Sequence, residues 1–135
     1  MPKRQKDRWQ GCPIRFGMGI FGDKWTLLIV RDLMFKGKRY YGEFTDPEEN
    51  ISSNILADRL AALVEEGIVT KQADPDNRSR FIYALSSKGM DLLPMMLAMV
   101  EWSAKYDPHT EVPKEFMRKL KRDRNALMRE IRTRR

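Results

Sequence analysis

Between Ser52 and Glu66 the chain places small hydrogen-bonding side chains at the start of a helix-forming run. Ser53, Asn54 and Asp58 offer donors and acceptors at short reach, and Ile55 offers a branched apolar surface. Those types suit the edges of bases in a DNA major groove. A side-chain amide reads adenine through two hydrogen bonds, a hydroxyl serves base or phosphate, and an apolar group meets the thymine methyl. A second set, Asn77, Arg78 and Arg80, falls within the polar stretch ADPDNRSR, where long cations reach a minor groove or its phosphates. Lys38 and Arg39 stand at the start of an earlier helical stretch, placed to touch the duplex backbone. A solvated helix face or a surface turn uses the same residue types, so neither set alone separates the two readings.

Other chemistry finds little material. One cysteine, Cys12, excludes an internal disulfide, and with the single His109 it leaves too few ligands for a zinc site. His109 sits in the turn-rich DPHTEVP, and no nucleophile, base and orienting group can be assembled around it. No enzyme, metal or cofactor is expected. Cys12 has two readings. Ahead of a helix start and near Arg15 and the basic residues Lys3 to Arg8, it lies in a positive field that favours a reactive thiolate, hence a redox sensor. The alternative is an inert, half-buried thiol.

These residues need elements to hold them. Pro13 suits a first helical turn, and Ile14, Gly17, Met18 and Phe21 follow at helical spacing. Asp23 is a natural cap for a second helix, with Trp25, Leu28, Ile29 and Leu33 as its buried stripe and Gly37 at its end. A third, short helix is predicted over residues 39–45, with Tyr40 and Phe44 on one face and Pro47 closing it. Ser52 caps the helix that carries Ser53, Asn54 and Asp58, and Leu56, Leu60, Leu63 and Val64 form its apolar face before Gly67. At 100° per residue, Asn54 and Asp58 project opposite that face, flanked by Ser53 and Ile55.

The runs IVTKQ and FIYALS then read as two strands joined at Asp74 and Pro75, with Phe81, Tyr83 and Leu85 sharing one face. A helix from about Ser87 to Trp102 carries Leu92, Met96, Met99 and Val100 on roughly one side, its methionines suiting core or interface packing, and Pro94 predicts a bend or a late start. A last helix follows Pro113, its apolar positions Phe116, Leu120, Leu127 and Ile131 interrupted by Asp123 and Arg124, which suits a partly docked helix better than a long coiled coil. Helix, helix, hairpin is the order of a winged helix-turn-helix. The expected class is mainly α with a small β-hairpin wing.

The 135 residues, 41% hydrophobic and 33% charged, suit one soluble domain with an appendage. Residues 1–11 read as a basic flexible N-terminus without the apolar run of a signal peptide, 12–106 as the winged-helix domain, and 107–135 as a basic helical extension. No membrane association is expected, and the cytoplasm is the expected compartment. The net charge of +7 resides in the tail: from Lys114 onward ten Lys and Arg face three Asp and Glu, while the preceding residues balance. A basic tail on a neutral body fits phosphate binding, and it equally fits a solvated amphipathic helix in a dimer.

The ordered set of motifs resembles the HxlR-type winged-helix regulators of bacteria, related to the MarR proteins. The resemblance runs from about Cys12 to Trp102, through the Cys12–Pro13 pair, GDKWTLLIVRDL, RYYGEF, ISSNILADRLAALVEEGIVTK and YALSSKGMDLLPMM followed by Trp102. It implies a homodimer built from the first and last helices of the domain, on double-stranded DNA at a palindromic promoter site. It also implies a small-molecule or oxidant inducer for those members that sense through the cysteine of the Cys-Pro pair, the position of Cys12. The tail from Pro108 onward departs from the pattern, being longer and more basic, and either lengthens the dimer interface or adds phosphate contacts. Two other classes remain open on sequence alone. One is a non-sequence-specific nucleic-acid-binding or ribosome-associated protein that uses the basic tail, and the other is a protein-interaction adaptor.

Overall fold

Each helix start is marked by a side chain that accepts otherwise orphaned backbone N–H groups, or by a proline that lacks one. In the computed structural model, which describes residues 11–46 and 48–134, Cys12 is the N-cap of α1 (Pro13–Phe21), its Sγ accepting the Arg15 N–H at 3.5 Å. The basic N-terminal segment up to residue 10 and the helix-closing Pro47 lie outside the described residues. Ahead of α2 (Thr26–Met34), one Asp23 carboxylate oxygen accepts the N–H groups of Trp25 and Thr26 at 2.9 and 3.0 Å. Gly37 then takes a positive φ of 66°, which a side-chain-bearing residue adopts only at a cost. The buried stripe of α2 is rotated from expectation. Thr26, Ile29, Val30 and Met34 face inward with Asp32 among them, whereas Trp25, Leu28 and Leu33 are half-buried.

The helix expected over 39–45 is a four-residue 3-10 turn, Tyr41–Phe44. The reason is competition for the backbone of Arg39. Its carbonyl accepts the Tyr83 N–H at 2.8 Å, pairing this stretch with the hairpin, and its N–H donates to Glu43 Oε1 at 3.0 Å. Chain committed to a strand contact up to Tyr40 has only four residues left to coil. In α3 (Ser53–Glu65), the Ser52 hydroxyl accepts the Ile55 N–H at 3.2 Å, and Leu56, Leu60 and Leu63 are buried as expected.

Strands β1 (Val69–Asp74) and β2 (Asn77–Leu85) form an antiparallel hairpin in which Val69 faces Leu85 and Ala73 faces Phe81, with a register irregularity at Ala73 and Asp74. Tyr83 and Leu85 are buried, but Phe81 is 44% exposed, because near the turn the hairpin has left the helices behind. Its ring instead carries the Lys71 ammonium 4.2 Å from its centroid.

Pro94 produces the late start and no bend: the short α4 (Ser87–Met90) ends before α5 (Leu93–Tyr106), which holds Pro94 in its first turn. Leu93, Met96 and Leu97 face inward, whereas Met99, expected on one side with Met96, is 48% exposed. The tail is a pair of helices, α6 (Lys114–Arg122) and α7 (Arg124–Thr133), divided at Asp123, whose carboxylate caps α7 by accepting the Ala126 N–H at 3.1 Å. The interruption seen in the apolar pattern is therefore a helix boundary.

The tail completes the core instead of extending from it. Leu120, Leu127 and Ile131 are at most 2% exposed and belong to the same cluster as Val30, Leu56, Leu60 and Leu93. Phe116 meets Phe35 edge to face at 5.8 Å, and Arg124 is ion-paired to Glu101 on α5. Removing methylene groups from such a site leaves a cavity as well as losing transfer free energy. Ile131→Ala should therefore lower unfolding stability in urea by about 2 to 4 kcal/mol. A change under about 0.5 kcal/mol, typical of a surface position, would mean the tail is not part of the folded unit.

Candidate nucleic-acid interface

The N-terminal half of α3 turns its small polar side chains to solvent. Ser53, Asn54 and Asp58 are exposed and Ile55 is half-buried, so the four residues singled out by type do lie together beside one helix start. What sets the pitch of this helix comes from elsewhere in the chain. Tyr41 Oη donates to the Ser53 carbonyl at 3.0 Å, tying the 3-10 turn to the first turn of α3. Arg59 Nε donates to Asp23 Oδ2 at 3.0 Å, joining α3 to the start of α2, and its Nη1 forms an ion pair with Asp58. Burial pushes the Asp23 carboxyl up, but hydrogen bonds from Thr26, Trp25 and Arg59 outweigh it and hold the group below the usual carboxylate range.

A buried carboxylate organises the approach to this helix. Asp32 is 3% exposed and receives Arg31 at 2.8 Å and Lys38 at 3.1 Å. Arg31 also forms a two-pronged pair with Glu49 at 2.6 and 2.8 Å, fastening α2 to the chain just before α3. That hydrogen-bonded pair, more than any other contact, holds Glu49 below its ordinary value. Lys38, expected on a DNA backbone, is thus engaged with Asp32, its side chain only 18% exposed. Arg39 is exposed and forms no side-chain ion pair among the described residues, but its backbone stands level with Tyr83, far along β2 from the turn.

The wing has the same design. Asp74, 2% exposed at the hairpin turn, accepts the Asp76 N–H at 2.9 Å and both Nε and a terminal nitrogen of Arg80 at 2.9 and 2.7 Å. The Arg80 guanidinium also lies 4.1 Å over the Tyr40 ring, which braces the wing against the residue preceding the 3-10 turn. Asn77 Oδ1 accepts the hydroxyl and N–H of Ser79 at 2.6 and 3.2 Å, a local bond that shapes the turn. All three wing residues expected to meet DNA are exposed, but of the two arginines only Arg78 has no ion pair among the described residues, whereas Arg80 is paired with Asp74 across the hairpin.

Sequence reasoning missed Asp23, Arg31, Asp32, Tyr40, Glu49 and Asp74 as positioning residues. For Arg31, Glu49 and Asp23 the partners are long-range, Arg31 and Glu49 being 18 residues apart and Asp23 and Arg59 36 apart, while Asp32 and Asp74 have partners within six residues whose pairing only their burial makes evident.

Two apolar stripes stand uncovered away from this face. On α5, Met95, Met99, Trp102 and Tyr106 follow at i, i+4, i+7 and i+11, with Trp102 66% exposed. On α1, Ile14 and Met18 are 74% and 59% exposed. Solvent-facing apolar stripes of that kind mark association surfaces. Cys12, partly exposed, sits at the start of α1. No described helix is long and apolar enough to cross a membrane, and no described cluster of His, Cys, Asp and Glu is arranged to hold a metal.

Comparison with known proteins gives consistent matches. The model of the HxlR-like helix-turn-helix family matches residues 20–111. An HTH-type transcriptional regulator of Synechocystis is 33% identical over 65% of this chain, and the match spans 64% of that relative's own length. Among solved structures, a MarR-family protein from Porphyromonas gingivalis superposes with a TM-score of 0.61 at 31% identity, covering 77% of this chain and 99% of that one. The oxidised form of the redox regulator HypR gives 0.61 at 28% identity over 70% of this chain and 96% of its own.

The wing clamp makes a testable contrast between two neighbouring arginines. Arg80→Ala should speed amide hydrogen exchange along Asn77 to Ile82, whereas Arg78→Ala should leave it at the wild-type rate. The Asp76 N–H first, then Arg80, holds the Asp74 carboxyl below its ordinary value. Its contribution is therefore fully present above the unfolded carboxylate pKa of about 3.9 and is lost only as pH falls through the lower folded value. Wing protection, corrected for intrinsic exchange, should be the same at pH 7 and pH 5; a loss already at pH 5 would contradict the clamp.

Proposed function

This chain belongs to the HxlR-like helix-turn-helix family, and we propose that it is a transcriptional regulator that binds a palindromic promoter site on double-stranded DNA as a homodimer. The observation that carries the reading is the solvent-facing N-terminal half of α3, capped by Ser52, carrying Ser53, Asn54 and Asp58, and anchored at both Ser53 and Arg59. A helix presented in this way is the part a major groove receives. Ser53, Asn54, Ile55 and Asp58 read bases. Arg78 at the wing tip supplies charge to the backbone or minor groove, with Asn77 shaping the turn that presents it. Lys38 and Arg80 act one step back, by holding the elements that dock. The bare stripes of α1 and α5 are the surfaces on which the two copies meet, spacing the two α3 helices by about one DNA turn, roughly 34 Å.

Cys12 is the sensing residue in this reading. It caps α1, so modification of its sulfur removes a cap from a helix that carries the dimer surface. The structural likeness to a redox regulator supports the assignment.

Selection from random DNA should yield an inverted repeat, bound by a particle of twice the 15.9 kDa chain mass in light scattering. Asn54→Ala should then relax preference at one base position in each half-site, by about 1 to 3 kcal/mol of discrimination. Arg78→Ala should weaken all sequences alike and flatten the salt dependence by about one charge. Uniform weakening by Asn54→Ala, or a monomer on a non-repeated site, would refute the reading. Alkylation of Cys12 by N-ethylmaleimide should lower operator affinity at least fivefold, and Cys12→Ser should be indifferent to the reagent. Full Cys12 modification, verified by mass spectrometry, with unchanged affinity would remove the sensor role.

A further inference from the structure

At the end of the hairpin opposite its turn, the C-terminal helix closes a cavity that the DNA-binding reading does not use. The cavity has a volume of about 470 Å³ and lies between the end of α2, the last residues of β2 and α7. Small-molecule sites commonly measure about 300 to 1,000 Å³. Its apolar wall includes Met34, Leu85, Met90 and Ile131, all buried to 5% exposure or less. Ile131 comes from α7, beyond the residues matched by the family model, so this wall belongs to the tail of this chain.

The polar part of the lining has one sign. Lys36, Lys38, Arg39 and Arg134 contribute to it, and no carboxylate does among the described residues. Lys38 already pairs with Asp32 at 3.1 Å. Lys36 and Arg39 have no ion pair among the described residues, and Arg134 has only a long contact of 3.4 Å to Glu130. Tyr83 also lines the space, and burial pushes its phenol up.

The apolar wall of the cavity stands away from the wing tip. Leu85, in the cavity wall, lies eight residues along β2 from Asn77 at the turn, or roughly 26 Å at about 3.3 Å per residue. The C-terminus of α3 lies at this same end, since Ile68 and Val69 follow it and Val69 pairs with Leu85. The wing tip therefore stands at one end of the hairpin and the cavity wall at the other. A positive, partly apolar pocket there fits an anion with an apolar body.

We propose that this cavity binds a small apolar molecule bearing one carboxylate or similar negative charge, its body against Met34, Met90 and Ile131 and its charge among Lys36, Arg39 and Arg134. The neutral analogue of such a ligand fills the same volume but forgoes the charge pairing, so charge decides affinity here.

The experiment uses the full chain labelled with 13C-methyl methionine, without DNA, titrated with 1-naphthoate and separately with neutral 1-naphthamide. The absence of DNA keeps a failure here distinct from a failure of the regulator reading. Saturable shifts are expected at the Met34 and Met90 methyls but not at the exposed Met18, Met95 and Met99. Naphthamide should bind at least tenfold more weakly. Lys36→Glu and Arg134→Glu, both surface changes whose ligand-free spectra report on folding, should each weaken naphthoate at least threefold. No saturable shift at Met34 and Met90, equal affinity for the two probes, or indifference to both charge reversals would each overturn the proposal.

Discussion

A carboxylate withdrawn from water must find a cation or several N–H groups, because an unpaired buried charge costs several kcal/mol. Asp32 and Asp74 impose that requirement in full and the half-buried Asp23 in part, and their partners hold α3, the end of α2 and the hairpin turn in shape. Arg59 reaches from α3 to Asp23, Lys38 and Arg31 converge on Asp32, and Arg80 of β2 crosses the hairpin to Asp74 of β1. These pairs add little net stability beyond what apolar replacements would give. Their effect is geometric, since bonds of fixed length and direction hold α3 against the start of α2 and fix the shape of the hairpin turn.

That division of labour explains why residue type alone misassigns roles. Arg78 and Arg80 are two positions apart at a hairpin tip, but Arg80 meets Asp74 and the Tyr40 ring while Arg78 is left to solvent. Likewise Lys38 and Arg39 are adjacent, but the buried Asp32 takes the first and the Arg39 carbonyl is taken by β2. An arginine with a buried partner is a brace, and the same arginine without one is a contact residue.

The charge asymmetry acquires a different meaning once the tail is seen in place. The segment from Lys114 onward carries the whole formal net charge of +7. It packs Leu120, Leu127 and Ile131 into the common core, and Ile131 and Arg134 line a cavity with the hairpin end far from the turn. The strongest cluster of positive charge is thus partly turned from the proposed DNA face. In that reading the face itself relies on hydrogen-bonding side chains and on Arg78, the tip arginine without an ion pair among the described residues. Long-range attraction to DNA from the whole molecule and base selection by α3 are separate properties here, carried by different parts of the chain.

Local patterns in the sequence were enough to determine the helix starts at Cys12–Pro13 and Ser52, the leucine face of α3, the hairpin and its turn, and the clustering of Ser53, Asn54, Ile55 and Asp58. They are legible because caps, periodicity and turn chemistry act over three or four residues. The order of motifs added the family. Tertiary structure alone decided that residues 39–45 coil for only one 3-10 turn, that Met99 and Phe81 face out, that the tail joins the core, and which cations are free. Each of those outcomes depends on a partner brought from far along the chain: Tyr83 for Arg39, Asp23 for Arg59, Glu49 for Arg31. Burial and ion pairing are properties of what surrounds a residue in space, and a single sequence records only its neighbours along the chain.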